Sequence, residues 1–439
     1  IRIMTGFLKS LRNSFLIILK KLQFALRKIF RFPHLRYESK SGKAKAGKKK
    51  IEANSELKMK NKLLLPSLSL KEKISLTPEI KKSLISVLLL ILILAGGFFV
   101  FQKQEKKELE IKKGALSEIQ KKISEAEKFL LIRDEEKSLI LFKTGWEEIL
   151  NLSQDEWPEK DKAISLKNSI EEKLKILSKL ELVESPKVIF EFDQKIFIPQ
   201  RIIYFQEDLY LFSILSEKLF KFNIQNKKIN DFTLTEGATP SLATVFGNSI
   251  LFFLKPDTIL PFKNVNGSYK FENKILLQIP SPDSNFIRLA SHQQSIYFLE
   301  EKTGEIIKFP SPFKQGQIWL KKEAKRMNDG KSIAIDGSIW LLKEGNIISQ
   351  YSKGEYRSDL NFDFFPAPKA IQRIITSHQF SYLYLLEPSQ NRVIIISKNG
   401  EILKQFQSNQ FDNLKDLAIS PDEKAIYLLN GQKIYELEI

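Results

Sequence analysis

Cysteine is absent from the 439-residue chain, which excludes disulfide staples and thiolate metal sites outright. Histidine is almost as scarce. His34, His292 and His378 are the only three, and none forms the paired-His motif of a metal-binding helix. Phosphate-cradling glycine loops and nucleophile elbows are missing as well. Charge is missing from one conspicuous place: residues 83–101, SLISVLLLILILAGGFFVF, contain no ionisable group, although 28% of the chain is charged. Nineteen residues in a helix reach ~28 Å, close to the ~30 Å hydrocarbon core of a bilayer. Only a helix closes its backbone hydrogen bonds within such a stretch, so one transmembrane helix is expected over 83–101. Lys81 and Lys82 flank one end and Lys103 the other. With no ionisable group inside, the helix alone offers no ion or proton path.

Charge sets the expected orientation. The 82 residues ahead of Ser83 carry 22 Lys and Arg against five acidic side chains, a net of +17 out of +18 for the whole chain. Anionic lipid and the membrane potential hold such an excess in the cytoplasm. The N-terminus is therefore expected in the cytoplasm and everything after Phe101 outside, with the apolar run as an uncleaved signal anchor. A cleaved secretory signal would have a shorter apolar core nearer the start. The Lys-, Ile-, Phe- and Asn-rich composition points to a bacterial protein. The chain opens on Ile1 rather than methionine, and a cytoplasmic domain upstream of it is an expectation carried into the alternatives below.

Within residues 1–36, Phe7, Leu8, Leu11, Phe15, Ile18, Leu19, Leu22 and Leu26 recur at helical spacing with Lys and Arg between them. That pattern predicts a basic amphipathic helix on anionic lipid head groups; packing on an upstream domain is the other reading. Residues 37–82 are polar and basic, which predicts a disordered linker. Lys48-Lys49-Lys50 lacks an aromatic stacking platform, so nucleic acid is not expected as a partner.

Residues 102–185 read as an extracytoplasmic helical stalk. Leu109, Leu116, Ile123 and Leu130 recur every seven residues, with Ile119 and Ala126 between. That stripe suits a short coiled coil, with a homodimer through the stalk, or one arm of a hairpin.

At Ser185-Pro186 the composition turns to aromatic and β-branched runs with Gly and Asn turns. One tetrad returns six times: Leu209–Phe212, Ile250–Phe253, Ile296–Leu299, Ile339–Leu342, Leu383–Leu386 and Ile426–Leu429, at intervals of 41, 46, 43, 44 and 43 residues. Several short strands per fixed repeat predict a six-bladed β-propeller over 186–439. The last repeat stops after its third strand, and Lys187–Phe192 (KVIFEF) is an orphan strand able to complete that blade. Turns are expected at Gly304, Gly345, Gly400 and Gly431, where positive φ is needed. The fold class expected is thus an all-β six-bladed propeller preceded by an α-helical stalk and one transmembrane helix.

The stretch Leu417–Tyr427 (LAISPDEKAIY) resembles the SPDG-type element of bacterial propellers, with Glu423 where glycine is usual. Through it the region resembles the NHL, WD-repeat and YVTN-type propeller families, although the Trp-Asp dipeptide is absent. The resemblance implies binding or scaffolding more often than catalysis. His292 and His378 fall between first and second strands of their repeats and are read as turn supports, like Asp336 and Asp422. Tyr210, Tyr297, Trp340, Tyr384 and Tyr427 share one strand position and are expected between blades. Trp319, Tyr351 and Tyr356 are the candidate ligand or partner surface.

No catalytic residue, metal ligand or cofactor is picked out, and the chain is expected not to be an enzyme. The function expected is a membrane-anchored extracytoplasmic propeller that binds or scaffolds a protein, peptide or cell-wall ligand. The first alternative is the sensor part of a receptor-like protein whose cytoplasmic phosphatase or kinase domain lies upstream. A propeller hydrolase is the third.

Overall fold

The computed structural model describes residues 78–235, 237–321 and 329–439, with side chains from Ile85 onward. The amphipathic helix expected within 1–36, most of the 37–82 linker, His34 and the side chains of Lys81 and Lys82 lie outside the described residues.

Helix α1 (Pro78–Leu131) runs 54 residues without a break, roughly 80 Å at 1.5 Å per residue. It begins earlier than the apolar run, with Pro78 at a position where its missing N–H costs nothing. It is the one described helix long and apolar enough to cross a membrane, and none of its apolar window is buried among the described residues. Lys103 is exposed on it.

Past that window the helix acquires a buried face. Leu116, Ile119, Ile123 and Ala126 pack with Phe142, Ile149 and Leu152 of α2 (Glu135–Gln154) and Ala163, Ile170 and Leu174 of α3 (Lys160–Leu177). The heptad stripe is thus consumed within the chain, as an arm of a helical hairpin. Asp134 caps α2 by accepting from the Lys137 backbone N–H at 3.2 Å, and Glu135 and Glu136 face its positive end.

The remaining chain forms six sheets, one per blade, each running outward from its first strand. Blade 1 is β3 (Arg201–Phe205), β4 (Asp208–Phe212), β5 (Lys218–Asn223) and β6 (Ile229–Thr233). Blades 2 to 5 repeat the pattern from inner strands β7 (Leu242–Phe246), β12 (Phe286–His292), β16 (Gly330–Ile335) and β20 (Arg373–Ile375). Blade 6 contains β24 (Leu414–Ile419), β25 (Ala425–Asn430) and β26 (Lys433–Glu438). Its outer strand is β2 (Lys187–Glu191), antiparallel to β26 with Val188 opposite Tyr435. The two ends of the domain therefore share one sheet, as the orphan strand predicted.

All six tetrads lie in second strands. Their aromatic residues fill the spaces between blades: Tyr210 with Phe252 between blades 1 and 2, and Tyr427 with Leu211 between blades 6 and 1. Gly400 shows why a glycine is needed at one expected turn. It has φ 93°, and a Cβ there would stand 2.1 Å from the Asn361 carbonyl oxygen. Glu423 replaces the usual glycine at φ 55°, and its carboxylate binds back to blade 5. It accepts from the Ser381 N–H at 2.8 Å and the Tyr384 hydroxyl at 2.9 Å.

β1 (Leu180–Leu182) precedes Ser185-Pro186, yet it adds in parallel to blade 5's outer strand β23 (Ile402–Gln407). The tie is buried. Gln405 Nε2 donates to the Ser178 and Phe365 carbonyls at 2.8 and 3.0 Å, and the Phe365 N–H donates to Ser178 Oγ at 2.8 Å. The Trp146 ring on α2 meets Phe365 edge-on at 5.0 Å. The helical segment is thus docked on blade 5 and on the connection that leads into it.

Candidate functional site

The three aromatic residues proposed as a binding surface do not form one platform. Tyr351 lies in β18 (Ile348–Ser352) and is fully buried beside Leu341 and Ile339. Its expected exposure is corrected: its third-strand position faces the space between blades. Burial, and then the nearby Asp359 charge, pushes its phenol well above the usual tyrosine value. Tyr356, on β19 (Glu355–Leu360), is 42% exposed and meets Tyr351 edge-on at 5.7 Å. Trp319 is half-buried, edge-on to Tyr297 at 6.3 Å. The Lys321 N–H donates to the Gly354 carbonyl at 3.0 Å, so Trp319 and Tyr356 occupy neighbouring outer edges of blades 3 and 4.

His378 is exposed, whereas His292 is half-buried. His292 ends β12, and its Nδ1 is buried without a hydrogen-bond partner. Burial first, then the His378 charge, lowers its pKa. Asp336 does hold a turn: it accepts from the Ser338 N–H at 3.0 Å and from Trp340 Nε1 at 3.1 Å. Asp422 likewise accepts from Ser420 Oγ at 2.7 Å. Among the described residues no three His, Asp or Glu side chains gather as a metal-binding group.

The most organised polar constellation is one that spacing alone did not pick out. First strands of neighbouring blades touch one another around the axis. Their pairing with the second strands puts one residue per blade opposite the last residue of each tetrad. Arg201 faces Phe212, Leu242 faces Phe253 and Arg288 faces Leu299. Ser332 faces Leu342, Arg373 faces Leu386 and Asp416 faces Leu429. Arginine thus occupies this level on alternate blades 1, 3 and 5, at the end where the chain enters each inner strand.

Two of the other positions lock the ring. Ser332 Oγ accepts from the Ile374 N–H at 3.3 Å, and Asp416 Oδ2 accepts from the Ile202 N–H at 3.2 Å. Each binds the backbone just after the arginine of the next blade. Asp416 also accepts from the Leu417 N–H at 2.8 Å and pairs with the Arg373 guanidinium. Its carboxylate is fully engaged.

Among the described residues, the hydrogen bonds of Arg201 and Arg288 all go to carbonyls. Arg201 Nη1 donates to Gln200 O at 3.4 Å. Arg288 donates to Ile287 O at 2.8 Å and reaches across the axis to Gln372 O at 3.3 Å, while its Nε is buried without a partner. Burial, then repulsion from Arg373 and Arg201, pushes Arg288 down to about 9. Burial also lowers Arg201, against the pull of Asp416. One carboxylate, that of Asp416, stands at this level.

No family model matches the chain, and no curated protein matches it. Solved structures share the propeller. A streptogramin B lyase structure is 17% identical over 54% of this chain and 77% of that one, with a TM-score of 0.38. A calcium-binding protein, regucalcin, from Agrobacterium tumefaciens is 12% identical over 60% and 95%, with a TM-score of 0.44. A luciferin-regenerating enzyme is 10% identical over 58% and 96%, also with a TM-score of 0.44. At these identities the likeness shows the fold alone. It nevertheless corrects one expectation: because enzymes share this propeller, the architecture does not exclude catalysis, and the chain is not to be classed as a non-enzyme on that ground.

Proposed function

We propose that the chain is a single-pass membrane protein whose extracytoplasmic propeller binds a protein, peptide or cell-wall ligand. One observation carries this reading: an apolar helix that none of the described residues covers continues, unbroken, into a bundle docked on the propeller. A soluble protein would bury such a surface, because each exposed Leu or Ile in water forgoes roughly 1.5–3 kcal/mol of burial. The N-terminal excess of Lys and Arg favours an inside start with anionic lipid head groups as its partner. The aromatic edge at Trp319 and Tyr356 offers a contact surface, and the alternate-blade arginines offer a charged one.

Protease added to intact cells is the test. It should digest the propeller while sparing epitopes within residues 1–82, and the chain should pellet with membranes and resist extraction by high salt. A propeller protected until the membrane is opened, or a freely soluble chain, refutes the proposal.

A further inference from the structure

We propose that Arg201, Arg288 and Arg373 together form an axial site for one tetrahedral oxyanion of the phosphate class. The inference rests on the reading of the propeller as a ligand-binding module, and it names the chemistry of one ligand. Pairing register sets the three arginines at one level on alternate blades of a six-bladed ring, and Arg373 and Arg201 both repel the Arg288 charge, so the three lie near enough to share one tetrahedral anion. Each guanidinium can present a fork of donors, the geometry that recognises phosphate.

The chain itself shows what a structural arginine looks like. Arg392 is fully buried and satisfied. It pairs with Glu387, donates to Gln405 Oε1, and reaches Pro366 O at 2.9 Å. Two of the axial arginines differ. Arg201 and Arg288 have no carboxylate partner among the described residues, and Arg288 Nε has no acceptor. The one carboxylate at that level, Asp416, is already used by Arg373 and two backbone N–H groups. Holding three like charges near one another destabilises the empty fold, and an anion would offset that repulsion. The Arg373 side chain is 23% exposed, so the level is open to solvent.

The test is titration calorimetry on the full chain in detergent micelles, in chloride buffer. Inorganic phosphate, glycerol 1-phosphate and dimethyl phosphate serve as probes. Phosphate should bind once per chain. The monoester will match it if the site takes the phosphate end of a larger molecule, and will fail if it takes the free ion. The diester, with fewer free oxygens, should bind at least roughly tenfold more weakly. Arg288→Gln should weaken phosphate binding roughly tenfold or more, whereas Arg357→Gln on the edge of blade 4 should not.

Stability separates binding from a packing role. In phosphate-free chloride buffer Arg288→Gln should unfold no earlier than the parent, and phosphate should raise the midpoint of the parent only. Should Arg288→Gln not fold, Arg288→Lys keeps the charge and removes the fork, and weakened binding is again expected. Absence of saturable binding to the parent, or equal affinity in a folded Arg288 variant, overturns the proposal. Protease accessibility decides the membrane reading separately, so the two can fail independently.

Discussion

Gln405 is the side chain on which the docking of the helical segment turns. It is fully buried, accepts from Arg392 Nη1, and donates to both the Ser178 and Phe365 carbonyls. Gln405→Ala would leave two carbonyl acceptors and one guanidinium arm without this partner. An orphaned buried group costs about 1–3 kcal/mol, and a charged one more. Partial hydration of the new cavity returns some of that, so a net loss of ~3–5 kcal/mol is expected. The loss should be local first, because the bonds join Ser178 and Phe365 to β23 rather than one blade to the next. A comparison sits nearby: Lys143 pairs with Asp363, which is 62% exposed, across the same junction. Lys143→Ala should cost no more than ~1 kcal/mol.

Hydrogen exchange on the full chain in detergent reads the difference. In Gln405→Ala the Gln405 and Val183 amides, which bond to Lys179 O and Gln407 O, should exchange roughly 100-fold faster or more. Amides of β4 and of the second strand of blade 2 (Ser249–Leu254), on the far blades, should change much less. Unchanged protection at Val183 together with an unchanged urea midpoint would refute the reasoning. It would mean that β1 and the bundle are held by something other than this network.

Glu423→Gly restores the glycine usual at that turn and relieves roughly 1 kcal/mol of left-handed strain. It also strips two or more carboxylate hydrogen bonds from Ser381 and the buried Tyr384 hydroxyl, so a net destabilisation of ~2 kcal/mol is expected by urea unfolding; stabilisation would show the bonds to be negligible. Gly400→Ala should destabilise by ~3 kcal/mol or more, since its Cβ would overlap the Asn361 carbonyl at a φ of 93°. A change within ~0.5 kcal/mol would mean that the 361 connection yields freely. Glu300 is buried, which raises its pKa, but bonds from the Thr303 N–H and hydroxyl and from the Asn285 N–H outweigh that and hold it below its ordinary value of 4.5. A depressed pKa adds stability above the ordinary value and loses it as pH falls beneath it. Glu300→Gln should therefore flatten part of the acid decline below about pH 4.5, and an identical acid profile would count against it.

The blades were readable because repetition averages out local ambiguity. Six tetrads of one pattern each need a dry space on both faces, and the only ring that supplies it is the closed one. The closing strand followed from arithmetic of the same kind: a final repeat one strand short and a spare strand ahead of the first. Tyr351 misled because a tyrosine outside the tetrad looks like surface, whereas its third-strand position faces the next blade. The arginine level was illegible for a different reason. The distance from each inner-strand residue to the end of its tetrad varies from ten residues in blade 4 to thirteen in blades 5 and 6. Turn length shifts it, so no fixed spacing marks Arg201, Arg288 and Arg373. Aligning inner strands by pairing register instead of by residue count would have exposed them.

The helical segment changes the weight of the functional readings. Leu116, Ile119, Ile123 and Ala126 are spent on α2 and α3, so two chains could pair through that stripe only by pulling α1 out of its own bundle. Phe365, from the connection into blade 5, is part of the same apolar cluster, and Arg373 lies just beyond it at the start of β20. The apolar helix therefore runs unbroken into the bundle, and the bundle joins the connection into blade 5 through packed side chains. A tether needs only length and would tolerate Gly- or Ser-rich chain at that point. A buried hydrogen-bond network at the junction argues for a connection in which the position of the propeller and that of α1 are fixed together, which is the property a coupling element needs and an anchor does not.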